Sequence, residues 1–191
     1  MCLDFVNTRN WENRDPKYER FNTYADLVRW NCQAGALTGV EARRFAEAAK
    51  HRPAQAQAIF EQSMALRETI YQIFSAVAQG VTPEAADLTT LNAVLSETLA
   101  HLRLVPAEEG FTWAWSDDET ALERLFWPVV KSAADLLTSE HLDRVGQCAG
   151  ESCGWLFLDL SRNRSRRWCD MQDCGNRAKA HRYYKRHHLS K

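Results

Sequence analysis

Apolar residues recur at helical spacing through most of the first half of the chain. The longest apolar stripe lies in residues 54–79, where apolar side chains return at intervals close to one or two helical turns. Its members are Ile59, Met64, Leu66, Ile70, Ile73, Phe74 and Val77. This pattern predicts a long amphipathic helix with its stripe facing a core, and Gly80 is suited to end it.

Three other segments carry a helical pattern. Residues 22–37 predict a helix that Gly35 can close, and residues 38–52 predict a short helix that Thr38 can cap. Residues 82–102 place leucines one helical turn apart. These leucines are Leu88, Leu91, Leu95 and Leu99.

Apolar and polar residues alternate in residues 101–106 and again in residues 111–117. Alternation of this kind is typical of strands, and Gly110 lies where a turn would join them, so a β-hairpin is predicted. Near the start, LDFVNT is rich in β-branched and aromatic residues and predicts a short strand or the lead into a loop.

Helical spacing returns over residues 118–145, where Pro128 is expected to kink or divide the helix. No internal repeat or low-complexity linker is evident, but the character of the sequence changes near residue 145. We therefore expect two domains, residues 1–144 and residues 145–191.

Charge is divided unevenly along the chain. Residues 161–191 contain ten Lys and Arg against two Asp, a net charge of +8, whereas residues 1–160 carry a net charge of −9. A compact basic segment suits a polyanionic partner. A solvated basic face, or docking onto the acidic remainder of the chain, is the alternative interpretation.

Four of the six cysteines form two pairs with the spacing C-x4-C-x15-C-x4-C. They are Cys148, Cys153, Cys169 and Cys174. Four thiolates favour tetrahedral zinc, and a complete thiolate shell is typical of a structural site because it leaves no position open for water. Two disulfides would need an oxidising compartment, and no export signal is seen. One structural Zn²⁺ is predicted.

The segment between the cysteine pairs predicts a hairpin that turns at residues 161–163, and Cys174 opens a basic helical segment. A knuckle, a hairpin and a helix that supplies the last ligand describe a treble-clef zinc finger. The predicted fold class is therefore α+β, with an α-rich N-terminal domain that contains a β-hairpin, followed by this finger.

The finger offers basic residues on its hairpin and on its helix. Clustered Arg and Lys bind phosphates through counterion release, and a helix in a major groove can read bases with Arg or Asn. The candidate nucleic-acid contacts are Arg162, Arg164, Arg166, Arg167, Asn176, Arg177, Lys179, Arg182, Lys185 and Arg186. For Asn176 and Arg177, a role in folding the finger remains an equal alternative.

The stretches CGWLFLDLSRNRSRRWC and CGNRAKAHRYY resemble the CGNR zinc finger, which is named after the tetrapeptide at residues 174–177. The segments CLDFVNT and YADLVRWNCQAGAL resemble the ABATE domain that accompanies this finger in bacterial proteins. Together they cover essentially the whole chain. The resemblance implies a stress-responsive transcription regulator with a DNA-binding finger and a ligand-sensing N-terminal domain.

No arrangement typical of a catalytic triad, a phosphate-binding loop, a dinucleotide-binding turn or an HExxH zinc site is present, so an enzyme is not expected. Polar residues that could line a small-molecule site in the N-terminal domain are Asp4, Asn7, Thr8 and Arg67. Capping and ion pairing around an aromatic core is the alternative for each of them.

Two further expectations concern partners and location. RNA is a competing partner, because Tyr183, Tyr184 and Trp168 could stack on exposed bases. At helical spacing, packing of these rings against the protein is the expected arrangement. A finger that docks onto a protein is the other alternative. No apolar run reaches the length of about 20 residues that spans a bilayer. A soluble cytoplasmic protein without membrane contact is expected.

Overall fold

The computed structural model describes residues 1–11, 19–116, 121–151 and 153–188. Seven α-helices lie in these ranges. They are α1 (Cys2–Val6), α2 (Tyr24–Gln33), α3 (Gly39–His51), α4 (Pro53–Ala78), α5 (Ala85–Leu99), α6 (Trp127–Leu137) and α7 (Asn176–His188). Two antiparallel strand pairs complete the α+β fold. Their strands are β1 (Leu102–Pro106), β2 (Phe111–Trp115), β3 (Val145–Gln147) and β4 (Leu156–Leu158).

The four helices predicted from residues 22–37, 38–52, 54–79 and 82–102 are confirmed as α2, α3, α4 and α5. Thr38 and Glu41 form a capping box at the start of α3: the Glu41 amide donates to Thr38 Oγ1 at 3.2 Å, and the Thr38 amide donates to the Glu41 carboxylate at 2.8 Å. The predicted 54–79 helix is α4, and Gly80 follows it with φ of +71°, a left-handed conformation that favours glycine.

Helix α4 runs through the centre of the core. Ile70, Ile73 and Phe74 are completely buried on it, and the apolar stripe predicted from the sequence supplies half of its buried residues. Helix α6 contributes Trp127 and Val129 to the same cluster. Burial of this kind supplies the main stabilisation of a helical domain, because isolated helices are marginal in water.

The prediction that LDFVNT forms a short strand or leads into a loop is wrong, because Cys2–Val6 form the short helix α1. In a helix, Cys2, Phe5 and Val6 fall at positions i, i+3 and i+4 on one face. All three are buried. A strand would alternate its side chains and could bury only part of this set on one side.

The 118–145 helix is also shorter than predicted. Pro128 lies in the first turn of α6 and begins that helix, since a proline there loses no internal hydrogen bond. A 3₁₀ turn at Leu122–Leu125 precedes α6, and residues beyond Leu137 leave the helix and reach strand β3. Residues 118–120 of the predicted segment lie outside the described part of the chain.

The first predicted hairpin is confirmed, with Leu104 opposite Trp113 and Gly110 in the turn at φ of +86°. The second hairpin is placed differently. Strand β4 pairs with β3, Val145 opposite Leu158, and does not pair with the segment after residue 161. Val145 and Leu156 join the helical core, so the C-terminal segment is packed onto α4.

Candidate metal centre and basic surface

The structure brings the four paired cysteines together. All four Sγ atoms lie within 4.8 Å of one another, with 3.5 Å between those of Cys153 and Cys169 and 3.6 Å between those of Cys169 and Cys174. A tetrahedron with Zn–S bonds of about 2.3 Å has edges of about 3.8 Å. These separations therefore fit one zinc ion, and the four cysteines are free of disulfides.

Each cysteine pair is positioned by backbone contacts. Cys148 follows β3 and Cys153 precedes β4, and the Cys148 amide donates to the carbonyl of Trp155 at 2.8 Å. We call the turn that carries Cys148 and Cys153 the first knuckle. The Ala149 amide donates to the carbonyl of Arg167 at 3.0 Å, and this hydrogen bond joins the first knuckle to the segment that carries Cys169.

The backbone at Gly150 lies against the sulfur atoms. A Cβ on Gly150 would lie 3.4 Å from Cys174 Sγ and 3.6 Å from Cys148 Sγ, which are ordinary van der Waals separations. Gly150 therefore marks where the main chain passes the cysteine cluster. Cys174 itself lies in a single π-helical turn, Met171–Gly175, directly before α7.

The surroundings of the thiols differ. Burial alone would raise the pKa of the Cys148 thiol, but hydrogen bonds from the amides of Cys169 and Gly150 lower it overall. Burial raises the pKa of Cys153 to about 12, and the neighbouring Cys148 adds to this effect. A divalent cation that binds all four sulfurs would stabilise them together as thiolates.

Two residues of the CGNR tetrapeptide make hydrogen bonds beside the metal centre. Arg177 Nη2 donates to Cys174 Sγ at 3.0 Å, and its Nε lies 3.5 Å from the Asp173 carboxylate. The hydrogen bond to Cys174 raises the pKa of Arg177. Asn176 Nδ2 donates to the carbonyl of Gln172 at 2.9 Å. These contacts hold the start of α7 against the sulfur cluster.

Arg166 also makes intramolecular contacts. Its Nε donates to the carbonyl of Trp168 at 3.0 Å and its Nη2 donates to the carbonyl of Cys169. The guanidinium lies over the Phe157 ring, 4.6 Å from the centroid. Nearby, Arg164 forms an ion pair with Asp143.

Asp159 organises this arginine-rich loop and was not among the predicted site residues. Its carboxylate accepts from the amide of Ser161 at 2.8 Å and from the amide of Arg166 at 2.9 Å. The hydrogen bonds from Ser161 and Arg166 lower the pKa of Asp159. An Asp two residues before a Ser is a common turn pattern, and that signal in FLDLS could have identified it.

A cleft of about 410 Å³ lies between the first knuckle and α7. Its basic lining consists of Arg167, Arg177, His181, Arg182 and Lys185. Lys179, Arg182 and Arg186 share a face of α7 because they are spaced i, i+3 and i+7, but only Arg182 of that row lines the cleft. Arg162, Lys179 and Arg186 are exposed outside it.

The four candidate ligand-binding residues are not brought to one place. Arg67 is buried and pairs with Glu19, and it donates to Thr8 Oγ1 at 2.9 Å. Asp4 and Asn7 instead line a cleft of about 570 Å³ that Arg166 and Cys169 also line. Intramolecular bonds occupy Asn7, Thr8 and Arg67, so their ligand-binding role stays a prediction.

Comparison with known families agrees with this architecture. Residues 144–187, which include all four cysteines, match the family model of the CGNR zinc finger. Residues 1–140 match the ABATE model, described as "Putative stress-induced transcription regulator". The chain belongs to the ABATE family.

Both matched models describe a regulator or a zinc finger, and neither describes an enzyme. A search of curated proteins finds no significant match to this ABATE chain. Among the residues that the structure describes, no helix is both long and apolar enough to cross a membrane. The cytoplasmic location and the domain boundary at residues 144 and 145 stay predictions.

Proposed function

We propose that this ABATE chain is a zinc-dependent transcription regulator that binds duplex DNA through α7 and the basic cleft beside the metal centre. The family description supports the regulatory role. The cleft supports DNA as the partner, because Arg167, Arg182 and Lys185 converge on it from two segments. Convergent cations favour phosphate binding, since each neutralised phosphate releases counterions.

The exposure of α7 is the observation that carries the proposal. Most of its described side chains are exposed, and it contacts chiefly the π-helical turn that bears Cys174. A basic helix anchored at one end has the shape of an element that enters a major groove. The zinc ion would fix its direction by holding Cys174.

The basic residues divide into two groups in this proposal. Arg164, Arg166, Asn176 and Arg177 make intramolecular contacts that build the finger. The others are assigned to nucleic acid. They are Arg162, Arg167, Lys179, Arg182, Lys185 and Arg186. Arg166 is consequently a poor target for a DNA-binding test, because its loss would also disturb the loop.

The test is fluorescence anisotropy with the zinc-loaded full chain and duplex DNA at several salt concentrations. Arg182→Glu with Lys185→Glu is expected to weaken binding at least tenfold, and the slope of log K against log salt should fall by about two. Arg43→Glu with Lys50→Glu, two exposed residues of α3, is the charge-matched control. DNA affinity that does not depend on salt concentration, or an equal loss of affinity in both variants, would contradict the proposal.

Single-stranded RNA is a second candidate because Tyr183 is 63% exposed on α7, where packing was the expected arrangement. Exposed aromatic rings stack on unpaired bases, which a duplex does not offer. Tyr183→Ala should leave duplex DNA affinity nearly unchanged under the DNA proposal. A selective loss of RNA affinity would favour RNA instead. A finger that binds neither nucleic acid would favour protein docking.

We further propose control by a small effector in the N-terminal domain. The cleft that contains Asp4 and Asn7 also contains Arg166 and Cys169, so its occupant would contact both the helical domain and the finger. Thermal-shift screening of a metabolite library, followed by DNA titration with and without each hit, tests this control. A hit that stabilises the chain without changing DNA affinity would argue against it.

A further inference from the structure

One face of the β1–β2 hairpin is apolar along its whole length. Directly opposed residues of an antiparallel pair share a face, as do alternate residues of each strand. The register thus places six apolar side chains together. They are Leu102, Leu104, Pro106, Phe111, Trp113 and Trp115. We call these six residues the hairpin face.

The base of the hairpin face is anchored, whereas its outer part is exposed. The ring of Trp115 lies 5.7 Å from that of Trp127, a fully buried core residue. Farther out, Phe111 is 74% exposed, Leu104 61% and Trp113 58%. Pro106 is exposed as well. No other described element exposes two large aromatic side chains on a sheet face.

We propose that the hairpin face is the dimerisation surface of this protein and that its occupant is the same face of a second copy. None of the six side chains is charged, so two identical faces meet without like-charge repulsion. Aromatic enrichment and charge depletion are typical of interface centres. A twofold axis through the face would bury the same residues in both copies.

The exposed area fits a dimer. Aromatic side chains bury about 150–250 Å² each, so the exposed fractions of Phe111 and Trp113, with Leu104 and Pro106, offer roughly 400–450 Å². A standard interface buries about 800 Å² per partner, of which about 57% is non-polar, or roughly 450 Å². The hairpin face therefore offers about as much apolar surface area as one partner contributes to a standard interface.

The strand geometry also favours a dimer. Among the described residues, β1 and β2 pair only with each other, and an isolated two-stranded sheet is marginally stable in water. Packing a second hairpin against the apolar face would bury it as the inner faces of a sheet sandwich are buried, about 10 Å apart. In the dimer, a second hairpin would cover the apolar face that the described residues of its own chain leave exposed.

Two neighbouring positions test the proposal. Trp113→Lys places a charge on the hairpin face, whereas Thr112→Lys places the same charge on the opposite face of the same strand. Trp113→Phe keeps the apolar contact. The zinc-loaded full chain and the three variants are compared by sedimentation equilibrium from about 1 to about 200 μM, since interfaces of this size reach micromolar affinity or tighter.

The unaltered chain, Thr112→Lys and Trp113→Phe are expected to show about twice the chain mass of 21.9 kDa. Trp113→Lys should weaken dimerisation by about 30-fold or more, as loss of a central aromatic residue does. Circular dichroism confirms that each variant is folded, and Leu104→Ser replaces Trp113→Lys if it is not. A monomer throughout the range, or a dimer that Trp113→Lys and Leu104→Ser leave intact, would overturn the proposal.

Discussion

Asn7 pairs with the backbone of Leu156 as a neighbouring strand would. Its Nδ2 donates to the Leu156 carbonyl at 2.7 Å, and its Oδ1 accepts from the Leu156 amide at 2.9 Å. One side chain therefore occupies the edge of β4 that β3 leaves open. The contact joins the first helix of the chain to the strand between the second and third cysteines.

Replacing Asn7 by Ala should destabilise the protein by about 2–3 kcal/mol, because two largely buried backbone groups of Leu156 lose their partners. Urea denaturation followed by circular dichroism measures the change. Asn92→Ala, at an exposed position of α5, is the matched control and should have little effect. A loss at Asn7 no larger than that of the control would show that water replaces the side chain.

Removing the metal should unfold the finger while the helical core persists. Cys174→Ser is expected to reduce bound zinc well below one ion per chain by elemental analysis, because a ligand of the tetrahedron is lost. Hydrogen exchange should then accelerate in α7 and much less in α4, whose buried residues belong to a separate cluster. Cys32→Ser, at an exposed cysteine, should retain zinc.

Arg166→Lys should destabilise the finger although the positive charge is kept. A lysine lacks the planar fork with which the guanidinium reaches the carbonyls of Trp168 and Cys169 from two nitrogens while it lies on the Phe157 ring. Zinc release to a colorimetric chelator measures the effect and should become faster. Arg162→Lys, at an exposed position of the same loop, serves as control. If both variants release zinc at the same rate, Arg166 has no structural role in the finger.

The buried Arg67–Glu19 pair should make stability depend on pH. Burial alone would raise the pKa of Glu19, but hydrogen bonds from Arg67 and from the Phe21 amide lower it overall. The unfolded pKa is about 4.3, so the pair's stabilisation is complete above that pH. It is lost as pH falls through the lower pKa of the folded state.

Glu19→Gln should therefore cost about 2–3 kcal/mol at pH 7, less than a fully buried pair because Glu19 is 25% exposed. The difference from the unaltered chain should shrink in urea titrations below pH 4. Glu47→Gln on α3 removes an exposed ion pair, which solvent screens, and should show a much smaller pH-dependent difference. A difference for Glu19→Gln that persists unchanged at low pH would refute the assignment.

The helices and the first hairpin were predictable because their signals are local. The stripe of α4, the cap at Thr38 and the turn at Gly110 each depend on residues within a few positions of one another. The cysteine spacing was equally informative, since few arrangements other than zinc bring two such pairs together. In these cases local preference and the final packing agree.

The errors occurred where distant partners decide the structure. LDFVNT has β-favouring residues, yet it forms a helix because α1 buries Cys2, Phe5 and Val6 on one face. Strand β4 pairs with β3 and not with the arginine-rich segment, since Asp159 folds that segment into a loop. Tyr183 was expected to pack at helical spacing but is exposed, because α7 is held mainly at its start.

The sequence by itself determined helices α2 to α5, the first hairpin and the identity of the zinc ligands, because helical periodicity, capping and cysteine spacing are local features of a sequence. Only the tertiary structure separated the arginines that build the finger from those that surround a cleft. It also placed Asn7 on Leu156 and left one face of the hairpin exposed. Those outcomes depend on which distant groups meet when the core closes, and a linear pattern does not contain that information.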